Sequence, residues 1–358
     1  MSPFDLDDLN AIAALDSEDV LTAVERFADQ CREGWEIGRA VEGLPDADGV
    51  DSIVLLGMGG SGVSGDVVQS VVEPRLPVPF RTIKSYGPLP EWVGRNTLVF
   101  AVSYSGSTEE TLAAVDDAHQ RGSRIVAVSS GGPLQELAAT RGFSHVKIPT
   151  GLQPRASLGY LTMPIFGILV EMGLVPELRD DVDDAVAVLG DVAERCHRKH
   201  PAGSNPAKDL AAKISGKVPV IYGGYGVGAT AAYRFKCDLN EYAKTPAFWN
   251  VLPELDHNEI VGWDQLSDVT SERFVLILLR NPEDLDRVAL RFDITKRLVK
   301  DGLADVVEIQ AEGASPLGCV LSLVLITQLA SIYLGLSYDV DPAPVEVIQK
   351  LKAELAEK

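Results

Sequence analysis

Four hydroxyl side chains follow a single apolar run in "TLVFAVSYSGSTEETL": Ser103, Ser105, Ser107 and Thr108, with a helix-like segment opening at Glu109 and Glu110. A phosphate monoester accepts several hydrogen bonds, and hydroxyls supply donors without committing a charge. With the free amides of the following helix, Ser103, Ser105 and Thr108 make a candidate anion nest. The plainer reading is a turn with a helix cap at Ser107 or Thr108. A second loop, "LLGMGGSGVSGD" at 55–66, puts Gly59, Gly60 and Ser61 at the start of a helix beginning near Ser61. Glycines there let backbone N–H groups approach a ligand, and the helix adds its positive end. Gly57, Gly59 and Gly62 also fit a G-x-G-x-x-G dinucleotide fingerprint. That site needs an acidic residue at the end of the next strand. Here the strand ends "FRTIKS", with Lys84 and no carboxylate, so the cluster is read as a phosphate site.

Both loops must be held at one edge of a sheet. Strand-like runs lie at 52–57, 80–84, 97–103, 124–130 and 145–149, with helical segments between most of them. Continuous apolar strands alternating with helices imply an α/β fold with a mostly parallel sheet covered on both faces. A second series follows at 218–224, 246–251, 273–279 and 304–310. The expected organisation is an N-terminal helical segment (1–45), a first α/β domain (46–160), a helical connector (161–216) and a second α/β domain with a C-terminal helix (217–358). The stretch 155–174, "RASLGYLTMPIFGILVEMGL", is too apolar for an exposed connector, which predicts burial against a partner subunit. The run "GCVLSLVLITQLASIYLGL" contains Ser, Thr and Gln and reads as a buried core helix rather than a membrane span.

Bulk properties exclude several classes. The chain has 358 residues and a formal net charge of −20, which repels nucleic acid and anionic membranes. Four scattered cysteines without a CxxC pair suit reduced thiols in a cytoplasmic protein. Five histidines show no metal-ligand spacing, and the acidic start "MSPFDLDDLN" does not read as a signal peptide.

"GMGGSG" together with "SYSGSTEET" resembles the sugar isomerase (SIS) domain, a phosphosugar-binding α/β fold. "PRASLGY" at 154–160, "NEYAKTP" at 240–246, "PELDHNEIVGW" at 253–263 and "DPAPVEVIQKLK" at 341–352 extend the similarity to bifunctional phosphoglucose/phosphomannose isomerases, in the family's order. The resemblance implies two SIS domains, a homodimer, and aldose–ketose isomerisation of glucose 6-phosphate to fructose 6-phosphate without metal or other cofactor. Many members also isomerise mannose 6-phosphate.

By that resemblance Glu241 is the base that carries the proton between C2 and C1, a task a carboxylate can perform. His257 matches the ring-opening residue, which in the family reaches the other subunit's site. Arg155 would stabilise the enediolate, and Lys350 would assist ring opening. Glu254 and Glu259 flank the histidine as orienting or structural groups, with Glu254 the second candidate for the base. Family members often carry threonine where this chain has Ala343, between two prolines. Alanine keeps the space and loses the hydroxyl, which bears on the mannose epimer. The alternatives are a SIS-type phosphosugar sensor without chemistry, against which the presence of Glu241, His257, Arg155 and Lys350 argues, and an isomerase of another sugar phosphate.

Overall fold

The computed structural model describes residues 4–357. Three helices open the chain: α1 (Leu9–Leu15), α2 (Val20–Glu25) and α3 (Phe27–Arg39). The first α/β unit follows as β1 (Ser52–Leu56), α4 (Gly59–Val72), β2 (Phe80–Ile83), β3 (Thr97–Val102), α5 (Glu109–Gln120), β4 (Arg124–Ser129), α6 (Gly132–Arg141) and β5 (Ser144–Lys147). Helices α7 (Leu158–Glu171), α8 (Arg179–Arg195) and α9 (Pro206–Ile214) lead to the second unit. That unit runs β6 (Val218–Gly224), α10 (Val227–Glu241), β7 (Phe248–Leu252), α11 (Ser267–Arg273), β8 (Phe274–Arg280), α12 (Asp286–Val299) and β9 (Asp305–Gln310). The long α13 (Pro316–Ser337) and the terminal α14 (Glu346–Ala356) complete it.

Both sheets are parallel, in the orders β2-β1-β3-β4-β5 and β7-β6-β8-β9. Alternation along each strand sends successive side chains to opposite faces. Ile53 and Leu55 of β1, with Ile277 and Leu279 of β8, face one common core between the sheets. Val54 and Leu56 pack outward against α5 and α6, and Leu276 and Leu278 outward against α12. The space between the sheets is filled by α3, α4, α7, α8, α9, α10 and α13, so the two units share one core.

Two apolar segments are both buried in the core. Helix α13 is buried along 94% of its most apolar window, as expected for a core helix. Helix α7 is also buried, but by its own chain, which corrects the expectation that 155–174 faces a partner. Its cover is α3, the helix at the start of the chain. The two backbones approach so closely that a Cβ on Gly38 would lie 2.3 Å from the Pro164 carbonyl oxygen, so only glycine fits there. The N-terminal helix α3 therefore forms part of the central layer.

Candidate active site

In each sheet the chain departs in opposite directions from two adjacent strands, β1 and β3 in the first and β6 and β8 in the second. Such a switch point leaves a crevice at the carboxyl ends of the strands, where open α/β sheets bind ligands. In the first sheet the crevice is lined by both loops singled out from the sequence. Helix α4 starts at Gly59, two residues earlier than expected, so the amides of Gly59, Gly60 and Ser61 all lie in its first turn and lack intrahelical acceptors. Thr108 takes the N-cap position of α5, yet its hydroxyl makes no cap bond. It pairs instead with Ser103 Oγ at 2.8 Å. Ser105 Oγ pairs with Ser107 Oγ at 2.9 Å, and the Tyr104 amide donates to Ser61 Oγ at 3.3 Å. In each hydroxyl pair one proton is used and one is left to donate, and Ser61 keeps its own. Ser61 and Ser103 are buried and Ser105 is exposed, so the nest has a fixed floor and an open rim.

The nest adjoins Arg155. A Cβ on Gly60 would stand 2.9 Å from the Pro154 carbonyl oxygen and 3.5 Å from Arg155 Cα. The Tyr104 hydroxyl donates to the Pro149 carbonyl at 3.1 Å and accepts from the Leu152 amide at 2.9 Å, tying the nest to the loop that precedes Arg155. Arg155 is buried, and its Nη1 lies 3.7 Å from Glu241 Oε2. Its Nη2 donates to the carbonyls of Pro342 (3.1 Å) and Ala343, and the Tyr242 ring lies beneath the guanidinium at 5.1 Å. Glu241 is the last residue of α10, with its side chain 29% exposed, and it lines a cavity of about 540 Å³ with Lys244 and the segment 340–348. Lys244 donates to the Glu241 and Pro342 carbonyls. Burial first, and then the nearby Arg155 charge, hold its pKa below the ordinary lysine range.

Six predicted residues of the nest, with Arg155 and Glu241, thus come together within one chain. His257 and Lys350 do not join them there. His257 ends a short turn, Glu254–His257, pinned through Asp256, which accepts from Arg291 and Thr295 at 2.8 Å each. The histidine itself is exposed. Lys350 lies on α14 with its side chain 74% exposed, 3.8 Å from Glu346. Glu259 accepts from Tyr222 (2.6 Å) and Asn250, and Glu254 accepts from Asn258 at 3.0 Å, so both carboxylates serve local structure.

Several residues around the site escaped the sequence reading. Arg234 and Asp238 of α10 are buried and joined at 2.8 Å. Their spacing with Glu241, at 234, 238 and 241, puts three charges on one helix face, a signal available before the structure. The crevice of the second sheet is occupied differently: the Asp284 carboxylate sits where a Cβ on Gly224 would be 2.6 Å from its Oδ1. Burial pushes that carboxyl up in pKa.

Residues 203–355 match the family described as the bacterial phospho-glucose isomerase C-terminal SIS domain. The chain is 39% identical over 335 residues, 94% of its length and 98% of the relative, to a bifunctional phosphoglucose/phosphomannose isomerase of Caldicellulosiruptor bescii. It is 30% identical, over 86% of its length and 90% of the relative, to a D-glucosamine-6-phosphate 4-epimerase of Sulfolobus acidocaldarius. A hypothetical protein of Thermus thermophilus shares the fold, with a TM-score of 0.71 at 18% identity, covering 97% of this chain and 92% of that one. Identity of 39% sustained over nearly the full length of both chains places this protein in the family of bifunctional phosphoglucose/phosphomannose isomerases.

Proposed function

We propose that this chain interconverts glucose 6-phosphate and fructose 6-phosphate by moving a proton between C2 and C1 through a cis-enediolate. The observation that carries the proposal is the continuity of nest, Arg155 and Glu241: Gly60 of the nest lies so close to the Pro154–Arg155 backbone that a Cβ there would crowd it, and Arg155 faces the carboxylate at 3.7 Å. The nest of Ser61, Ser103, Ser105 and Thr108, with the amides of Gly59 and Gly60, holds the phosphate. Two helix N-termini aimed at one crevice favour a dianion although the chain is acidic overall. Glu241 removes the C2 proton of the open-chain aldose. The C–H electron pair becomes the C1–C2 double bond, and negative charge appears on O1, where Arg155 stabilises it. After the hydroxyl proton shifts between O2 and O1, Glu241 returns its proton to C1 and leaves the ketone at C2.

Ring opening comes first and falls to His257 and Lys350. Neither meets Glu241 within one chain, and Val261, four residues after His257, is exposed. These features support a homodimer in which His257 serves the partner's site. Glucose and mannose 6-phosphates give the same enediolate because C2 is planar there, so mannose 6-phosphate belongs to the proposed range. The test is purified protein with each aldose, fructose 6-phosphate formation being followed with and without chelator. Binding without turnover would favour a sensor, and activity lost to chelator and restored by metal would overturn the Glu241 mechanism.

A further inference from the structure

Arg155 faces the base at 3.7 Å, and its place is fixed by groups the mechanism does not use. Its backbone carbonyl accepts two hydrogen bonds: from Arg234 Nη2 at 2.6 Å and from Gln328 Nε2 at 3.0 Å. Arg234 is 1% exposed and spends Nε on Asp238 Oδ2 at 2.8 Å, one turn further along the same helix. Gln328 comes from α13 and also donates to the Tyr242 hydroxyl at 3.0 Å, so it fixes the ring under the Arg155 guanidinium as well. A buried ion pair is a weak source of net stability, because desolvation opposes its Coulomb attraction. Burial in fact pushes the Asp238 carboxyl up to about 7, against the pull of Arg234. The pair therefore calls for a role beyond stability.

Position supplies one. Arg234, Asp238 and Glu241 share the rigid helix α10. A bond from Arg234 to the Arg155 carbonyl ties the oxyanion-binding arginine to the helix that carries the base. We infer that Arg234, held by Asp238, is a positioning residue that sets the distance between Arg155 and Glu241. Helix α10 then acts as the gauge of the active site, and Gln328 braces it from the central helix. This inference rests on the isomerase reading.

The experiment compares wild type with Arg234→Met/Asp238→Leu, Arg234→Lys and Gln328→Leu, with thermal unfolding and circular dichroism as folding controls. The double variant removes both charges together, so neither is left buried alone. It is expected to fold, and a misplacement near 1 Å at the arginine lowers kcat about 100-fold. The phosphate nest is untouched, so KM for glucose 6-phosphate changes by less than about threefold. Arg234→Lys keeps a cation that reaches one of the two partners and recovers part of kcat. Gln328→Leu removes the second donor without touching a charge and lowers kcat about tenfold at unchanged KM. A folded double variant with wild-type kcat overturns the inference. So does a lysine variant no better than the double variant, or loss of kcat only in proportion to unfolded protein. If the double variant fails to fold, Gln328→Leu decides by the same measure. Inactive wild type would instead defeat the isomerase reading itself, so the two failures are distinguishable.

Discussion

Gly60→Ala tests whether the phosphate nest and the proton-transfer centre are one mechanical unit. Gly60 does not have positive φ, so alanine brings no left-handed strain, and helix propensity favours it by at most about 1 kcal/mol. The new Cβ would stand 2.9 Å from the Pro154 carbonyl oxygen, whereas ordinary contact begins at 3.4 Å. The difference of about 0.5 Å must be taken up by backbone on one side, because neither partner is a flexible side chain. Overpacking of this kind costs about 1–3 kcal/mol, which offsets the propensity gain and leaves a net loss of about 1 kcal/mol. The displaced residue is the one before Arg155, whose Nη1 is 3.7 Å from Glu241. If 1 Å of misplacement costs about 100-fold, half that shift costs about tenfold in kcat. Steady-state kinetics in both directions, with a melting curve, read all of this. A variant that melts within a few degrees of wild type and keeps full kcat would refute the coupling of nest and catalytic arginine.

Ser105→Ala removes an exposed donor that, in the proposed site, serves phosphate before and during reaction, so KM should rise about tenfold with kcat nearly constant; a fall in kcat at constant KM would assign Ser105 to the chemistry. Glu241→Gln keeps shape and phosphate binding but cannot accept the C2 proton, so kcat should fall by about 10³-fold. Solvent deuterium should enter C1 or C2 with wild type in heavy water, and near-normal rates in the Gln variant would move the base to Glu254. Co-refolding Glu241→Gln with His257→Ala should restore about a quarter of wild-type activity on closed-ring substrate, since half of the dimers are mixed and each has one intact site of two. No recovery, or full activity of a monomer by light scattering, would place His257 in its own subunit's site or outside it.

The parts legible in the sequence are those governed by local rules. Apolar runs bounded by turns marked the strands closely: the run at 97–103 became β3 (Thr97–Val102), and the run at 246–251 became β7 (Phe248–Leu252). The hydroxyl and glycine loops could be read because a switch point needs two neighbouring strands, and the strand series supplied them. What escaped depends on long-range packing. The stretch 155–174 is apolar enough for an interface, and only the folded chain shows α3 lying on it, since a glycine at position 38 does not announce Pro164 as its neighbour. Arg234 and Asp238 drew no notice in the sequence because helix charges are usually solvated, and their burial follows from α13 covering α10.

The two units divide the labour of the site. The first sheet's crevice is built from hydroxyls and amides and suits a phosphate. The equivalent crevice of the second sheet holds the Asp284 carboxylate against Gly224, a poor setting for an anion. Yet the second unit contributes Glu241, the base of the proposed mechanism, from the far end of the helix that follows its own crevice, since α10 begins just after Gly224 and ends at Glu241. A helix of 15 residues spans roughly 22 Å at 1.5 Å per residue, so Glu241 is carried well away from Asp284. Helices α4 and α10 pack against each other in the central layer, which brings the start of one to the end of the other at Arg155. One anion nest and one carboxylate are what a phosphosugar requires, and a repeated fold supplies both by keeping the nest in one copy and the helix end in the other.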